Sequence, residues 1–211
     1  MKEPLTLALP KGRLFEQVRE HFGQRGFVFS LEDRKLTAVD QTGTLKIIAV
    51  KNADLPTYVR HGIAGLGVCG DDVLYEAGVE FTHLLPFDFG GTRMALAGLK
   101  DQPVRETAGS LTIATKFTRF TRDWFHALGT SVKIIRLDGS VELAPVLGLA
   151  PYIVDLVETG STLKANGLEV REWLKSIGVS LFANPAYFKL RYQEITRFVD
   201  RLKEPAGSSN R

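Results

Sequence analysis

Short apolar runs, each closed by Gly, Pro or charged residues and then followed by apolar residues at helical spacing, recur along these 211 residues. Few architectures accommodate that alternation. Leu5 to Leu9 is the first run, ended by Pro10, and Leu14, Phe15, Val18 and Phe22 then follow at the one, three and four spacing of a helix face. Leu45 to Val50 reads as a strand, Tyr58 and Val59 open a short helix ending near His61-Gly62, Ile63 to Cys69 reads as a central parallel strand, and Val73 to Ala77 as a helix. Beyond residue 90 the same pattern gives strands at Arg93 to Leu99, Leu111 to Thr115, Val132 to Leu137, Ile153 to Val157 and Val179 to Ala183. Phe117, Phe120, Trp124 and Phe125 form an aromatic stripe read as helix core, Leu168 to Ile177 is helix-compatible, and Leu190, Ile195, Phe198, Val199 and Leu202 fit an amphipathic helix. The expected fold is α/β with largely parallel sheets. Leu84 to Thr92, with Pro86 and Gly90-Gly91, interrupts the pattern and marks a domain crossing.

Parallel sheets bind ligands beyond the carboxyl ends of their strands, where Lys11, Arg13, Lys51, Asp54, Asp71 and Asp72 fall. Cations at a helix start gain nothing from the helix dipole, so Lys11 and Arg13 around Gly12 suit an external phosphate. Solvated surface charge is the plainer reading of the same pair. Residues 152 to 168 carry a second such arrangement. A buried strand containing Asp155 runs into Glu158 and then Thr159-Gly160-Ser161-Thr162, a loop whose N–H groups and three hydroxyls suit a phosphate. Carboxylates repel a bare phosphate, so Asp155 and Glu158 imply that ribose hydroxyls or a divalent cation is bound as well. The bland alternative is a tight turn with Thr159 or Ser161 as helix N-cap. Glu142, at the start of a helix, reads first as a dipole partner, with a ligand-facing carboxylate as the alternative.

Composition excludes several classes. The 27 basic and 24 acidic residues are interspersed for a net charge of +3, with no basic block to bind nucleic acid. Cys69 is the sole cysteine, so no disulfide forms within the chain, and its apolar surroundings read as a small buried residue. The four histidines are scattered without zinc-type spacing, and no Gly-x-Ser-x-Gly elbow is present. No stretch has the length of a membrane span or the form of a signal peptide, so a cytoplasmic protein without a membrane partner is expected.

The chain resembles the ATP phosphoribosyltransferases of histidine biosynthesis, in their short form. The resemblance rests on Ala8 to Leu14, Asp54-Leu-Pro-x-Tyr-Val59, Gly65 to Asp72 with Leu74 and Glu76, Phe89-Gly-Gly-x-Arg93 and Ile113 to Lys116. Gly139 to Pro145 and Ile153 to Leu168 complete the match and together are highly specific. The resemblance implies a two-domain fold like that of periplasmic binding proteins, with the active site in the cleft between domains. It implies that the tail helix returns to the first domain, giving residues 1–88 with 184–205 and residues 89–183, with 206–211 a disordered tail. The implied reaction is attack of N1 of ATP on C1 of phosphoribosyl pyrophosphate, with Mg²⁺ and release of pyrophosphate. Asp155, Glu142, Lys11 and Arg13 are then the catalytic set, Asp155, Glu158, Thr159, Gly160, Ser161 and Thr162 hold the phosphoribosyl donor, and Lys11, Gly12, Arg13, Lys51, Gly70, Asp71 and Arg93 hold ATP or pyrophosphate. A histidyl-tRNA-synthetase-like regulatory subunit and a homodimer within a hetero-oligomer are the implied partners. Ala150-Pro151 stands where relatives often carry Ala-Asp, so no carboxylate role carries over there. A non-catalytic two-domain module that binds a phosphorylated ligand is the competing reading.

Overall fold

The computed structural model describes residues 3–32, 34–100 and 110–205. In chain order the elements are β1 (Leu5–Pro10), α1 (Arg13–Gly23), β2 (Thr37–Val39), β3 (Leu45–Val50), α2 (Leu55–Arg60), β4 (Leu66–Gly70), α3 (Asp71–Ala77) and β5 (Thr82–Leu99). They continue with β6 (Ser110–Thr115), α4 (Thr118–Ala127), β7 (Ser131–Arg136), α5 (Leu143–Val146), β8 (Tyr152–Val157), α6 (Ser161–Ala165), β9 (Leu168–Ala183), α7 (Pro185–Leu190) and α8 (Tyr192–Lys203). Two compact units result, Met1–Gly90 with Gly178–Arg211, and Gly91–Ile177. β5 and β9 each run from one unit into the other.

In the first unit β1 pairs in parallel with β3 and with β4, while β2 on β3 and the end of β9 on β4 are antiparallel. Both faces of β1 are covered, which is why its sequence is apolar without alternation. Leu5, Leu7 and Leu9 pack with Phe15, Val18 and Phe22 of α1 and Ile195, Phe198 and Leu202 of α8, whereas Ala8 joins Leu55, Val59 and Leu74 on the other face. The return of the C-terminal helices to this unit has a polar cause as well. Arg191 grips both carboxylate oxygens of Glu194, at 3.1 and 2.6 Å, and donates to the backbone carbonyls of Glu3 and Pro4.

In the second unit β6 pairs in parallel with β7 and β8, and β8 pairs antiparallel with β5. Met94, Leu96, Ile113, Tyr152 and Val154 face the α4 aromatics Phe120 and Phe125. Ala95, Ala97, Ile153 and Val157 face Val141, Ala144 and Leu163, beside α5 and α6.

The α/β class and the parallel strand groups agree with the sequence reading; of the antiparallel pairs, β4–β9 and β5–β8 involve the strands that run between units, and β2–β3 lies inside the first unit. Two local expectations are corrected. Leu168–Ile177 is not helical but the first part of β9, because its apolar residues find sheet partners: Leu168 and Val170 pack on one side, Leu174 and Ile177 on the other. Tertiary packing overrides propensity in such a segment. Leu84 to Thr92 does not break the pattern either, since it lies inside the 18-residue β5. The expected tail at 206–211 lies outside the described residues. Among the described residues, no helix is long and apolar enough to cross a membrane.

Candidate functional site

The second unit carries a cavity of about 260 Å³ lined by Glu142, Asp155 and the run from Glu158 to Thr162. Sequence explains the loop that forms it. β8 ends at Val157, and Gly160 takes φ +72°, the left-handed region that costs an L side chain about 1–2 kcal/mol. The chain then turns straight into α6. The first helical bond of α6 runs from Lys164 N–H to Gly160 C=O at 3.1 Å, so the N–H groups of Thr162 and Leu163 precede it and need an external acceptor. Thr159 and Ser161 hydroxyls lie 3.0 Å apart at the loop's tip. Ser140, two positions before the lining residue Glu142, has φ +48°, an uncommon conformation for a non-glycine residue.

Asp155 sits mid-strand, opposite Ala95 of β5, on the same sheet face as α5 and α6. Its Oδ1 accepts the Leu156 N–H at 2.9 Å and lies 3.9 Å from Lys116 Nζ. Burial pushes its pKa above the ordinary carboxylate value. Lys116 and the Leu156 N–H oppose that rise, and Glu142 adds to it. Lys116 follows β6 and also lies 4.8 Å from the Phe117 ring. Thr115 positions it: buried, it donates to Val154 C=O at 2.6 Å and accepts from Phe117 N–H at 2.9 Å, tying the end of β6 to the middle of β8.

Arg93, grouped by sequence with ATP or pyrophosphate, lies in this unit. The β5–β8 register sets it opposite Val157, one residue from Glu158, and diagonal to Asp155. Its guanidinium is stacked 3.5 Å from the centroid of the Trp173 ring of β9.

The other named residues gather in the first unit. β3, β1 and β4 are parallel neighbours, and the residues beyond their carboxyl ends are Lys51, then Lys11, Gly12 and Arg13, then Asp71 after Gly70. Lys11 N–H donates to Val50 C=O at 3.1 Å, which sets the Lys11 and Lys51 turns side by side. Lys11, Gly12, Arg13 and Lys51 are exposed. Gly70 and Asp71 have structural duties here. A Cβ on Gly70 would come within 2.2 Å of Asp72 Oδ1, and Asp71 Oδ1 accepts from Ser180 at 2.9 Å across the β4–β9 pair. Cys69 is buried, its thiol pushed well above the usual pKa by burial and by Asp72 and Asp71, which leaves it a poor nucleophile.

Sequence reasoning passed over Lys116, Thr115 and Trp173. Lys116 did carry a signal, since it follows the carboxyl end of a strand as Lys11 and Lys51 do. Trp173 carried none, because its strand was read as helix. Among the described residues, no group of three or more His, Cys, Asp or Glu side chains is placed to hold a metal ion.

Comparison with known proteins bears on this arrangement. The family model described as HisG: ATP phosphoribosyltransferase matches residues 51–204. An ATP phosphoribosyltransferase of Caldicellulosiruptor saccharolyticus is 44% identical over 206 residues, covering 94% of this chain and 97% of that protein. That of Campylobacter curvus is 40% identical, covering 95% and 97%. Among solved structures, the ATP phosphoribosyl transferase (HisG:HisZ) complex from Thermotoga maritima aligns with TM-score 0.81 at 36% identity, covering 94% of this chain and 96% of that one. The VFT2 domain of Bordetella pertussis BvgS aligns with TM-score 0.52 at 14% identity, a likeness of fold alone that lends the non-catalytic reading no support. The chain belongs to the ATP phosphoribosyltransferase family.

Proposed function

We propose that the chain transfers the phosphoribosyl group of phosphoribosyl pyrophosphate to N1 of ATP, giving N1-(5-phosphoribosyl)-ATP and pyrophosphate, the first step of histidine biosynthesis. The observation that carries this reading is the single cavity holding Asp155, Glu142 and the Thr159–Thr162 loop, in a chain of this family. The 5-phosphate accepts hydrogen bonds from the loop's hydroxyls and from the first N–H groups of α6. Asp155 faces the ribose, where its negative charge stabilises the positive charge that develops at C1 as the bond to pyrophosphate lengthens. Lys116 favours the ionised form of Asp155 against burial. Arg93, stacked on Trp173 beside Val157, belongs with the donor's phosphates. Lys11, Arg13 and Lys51 supply positive charge for the triphosphate of ATP or for the departing pyrophosphate. No covalent nucleophile is needed, and catalysis consists of positioning two anionic substrates and stabilising charge.

The donor set suits a Mg²⁺ ion that arrives with the substrate: three carboxylates, Glu142, Asp155 and Glu158, line the cavity, and Mg²⁺ is commonly held by one or two carboxylates plus substrate phosphates. Asp155 and Glu142 would hold it, and the ion would neutralise charge on the leaving group.

The Thermotoga maritima neighbour is a HisG:HisZ complex, which supports a histidyl-tRNA-synthetase-like regulatory subunit as partner here, with this chain as a homodimer inside a hetero-oligomer. The place of action is the cytoplasm. Incubation of the purified chain with ATP, phosphoribosyl pyrophosphate and Mg²⁺, with and without that subunit, should give N1-phosphoribosyl-ATP and pyrophosphate. No product under either condition contradicts the reading.

A further inference from the structure

The first unit holds another cavity, of about 500 Å³, at the amino ends of β1 and β3, the edge of the sheet opposite Lys11 and Lys51. Phe27 and Phe198, both buried, are part of its lining, as are four arginines, 25, 191, 197 and 201. The acidic residues among its lining are Glu3 and Glu194.

An account of these charges leaves Arg25 and Arg197 without an ion pair among the described residues, and with them the exposed Glu3 carboxylate. Arg191 takes both oxygens of Glu194. Arg201 donates to the Arg25 carbonyl at 3.2 Å and lies 3.9 Å from Glu204. Arg25 is half-buried and held by carbonyls, its Nε to Leu202 at 2.7 Å and its Nη1 to His21 at 2.9 Å. Among the described residues it meets no carboxylate. A guanidinium has five donors in a fixed fork, so most of those on Arg25 remain unspent. Arg197, exposed on α8 one turn before Arg201, has no hydrogen bond or ion pair among the described residues. Desolvating a charge without a counter-ion is costly, and guanidinium forks favour oxyanions.

We propose that this cavity is an anion site separate from the catalytic half-sites, binding a phosphoryl dianion between Arg25 and Arg197. Four arginines against two glutamates leave the lining with a net charge of +2, which matches a dianion, and the aromatic rings of the lining give an organic substituent an apolar surface. The ligand class is inorganic phosphate or a small phosphomonoester. The site does not depend on the transferase reading, because none of its residues serves in that reaction.

His21 provides a reporter. It lies one turn before Arg25, and its ring is 5.2 and 5.3 Å from those of Phe87 and Phe89. Burial and then the Arg25 charge hold its pKa below the ordinary histidine value, with Asp88 and a backbone hydrogen bond opposing. An anion on Arg25 removes part of that repulsion.

The test follows the His21 imidazole signals by NMR in the full chain, identified with His21→Gln, while inorganic phosphate or phenyl phosphate replaces chloride at constant ionic strength. A saturable shift is expected, together with a rise in the His21 pKa. Arg197→Ala should weaken the apparent affinity by roughly tenfold or more, the usual worth of a charge-assisted hydrogen bond. It should leave transferase turnover in phosphate-free buffer within about twofold, since surface substitutions away from a site are nearly neutral. Thr162→Val should leave the His21 titration unchanged. Equal affinity for both probes assigns the site to free phosphate, and tighter phenyl phosphate assigns it to a phosphomonoester. A non-saturating shift, an unchanged titration in Arg197→Ala, or loss of the shift in Thr162→Val overturns the proposal.

Discussion

Asp155 interrupts an otherwise apolar strand, and its environment says what that interruption costs. Burial raises its folded-state pKa, so the folded chain holds this proton more tightly than the unfolded chain does. The group therefore contributes stability below the ordinary carboxylate pKa of about 3.9, and that contribution is lost as pH rises through the raised folded value. Asp155→Asn should accordingly resist denaturant better than the parent at pH 7, with the gap closing toward about pH 4. The same variant should lose turnover by roughly 10²–10³, the scale of one lost electrostatic contact in a transition state. Lys116→Met removes a charge 3.9 Å from Asp155 and should move the acid limb of the turnover profile to higher pH. An unmoved limb would detach Lys116 from the site. Asp155 was legible because a carboxylate inside an apolar run is conspicuous. Its pairing with Lys116 was not, since Lys116 follows β6, the strand beside β8, and only sheet register brings the two together.

Elements explain how such residues are held. Thr115 joins β6 to β8 through one donated and one accepted hydrogen bond, both buried. Thr115→Val keeps the shape and leaves the Val154 carbonyl and Phe117 N–H without partners, a loss of about 1–3 kcal/mol. Denaturant unfolding should register that loss, and a cost near zero would mean that the two strands are held by other contacts. The β5–β8 register makes a kinetic prediction. Arg93→Ala should raise KM for phosphoribosyl pyrophosphate by roughly tenfold, as expected for a lost charge-assisted contact, with KM for ATP little changed. The reverse pattern would place Arg93 with ATP. Strands enclosed on both faces, such as β1, were legible as apolar runs. β9 was not, because its polar residues suit a helix equally well and only its sheet partners decide.

Across the whole molecule, the alternation of strands and helices identified the α/β class, and the carboxyl-end rule singled out Lys11, Arg13, Lys51 and Asp71, which the structure does set beyond the carboxyl ends of β1, β3 and β4. The extent of β5 and β9 was hidden, since Pro86, Gly90 and Gly91 punctuate the sequence as a loop would. Under the proposed reaction the labour divides between two units, with Lys11, Arg13 and Lys51 in one and Asp155, Glu142, Arg93 and the hydroxyl loop in the other. Isothermal titration of phosphoribosyl pyrophosphate and, separately, of ATP into the parent and Thr162→Val tests that division most directly. Donor affinity in the variant should fall by roughly tenfold or more, given the loss of a hydrogen bond to a charged group, while ATP affinity stays within about twofold. Unchanged donor affinity, with the fold intact by circular dichroism, would contradict the assignment of the donor phosphate to this loop.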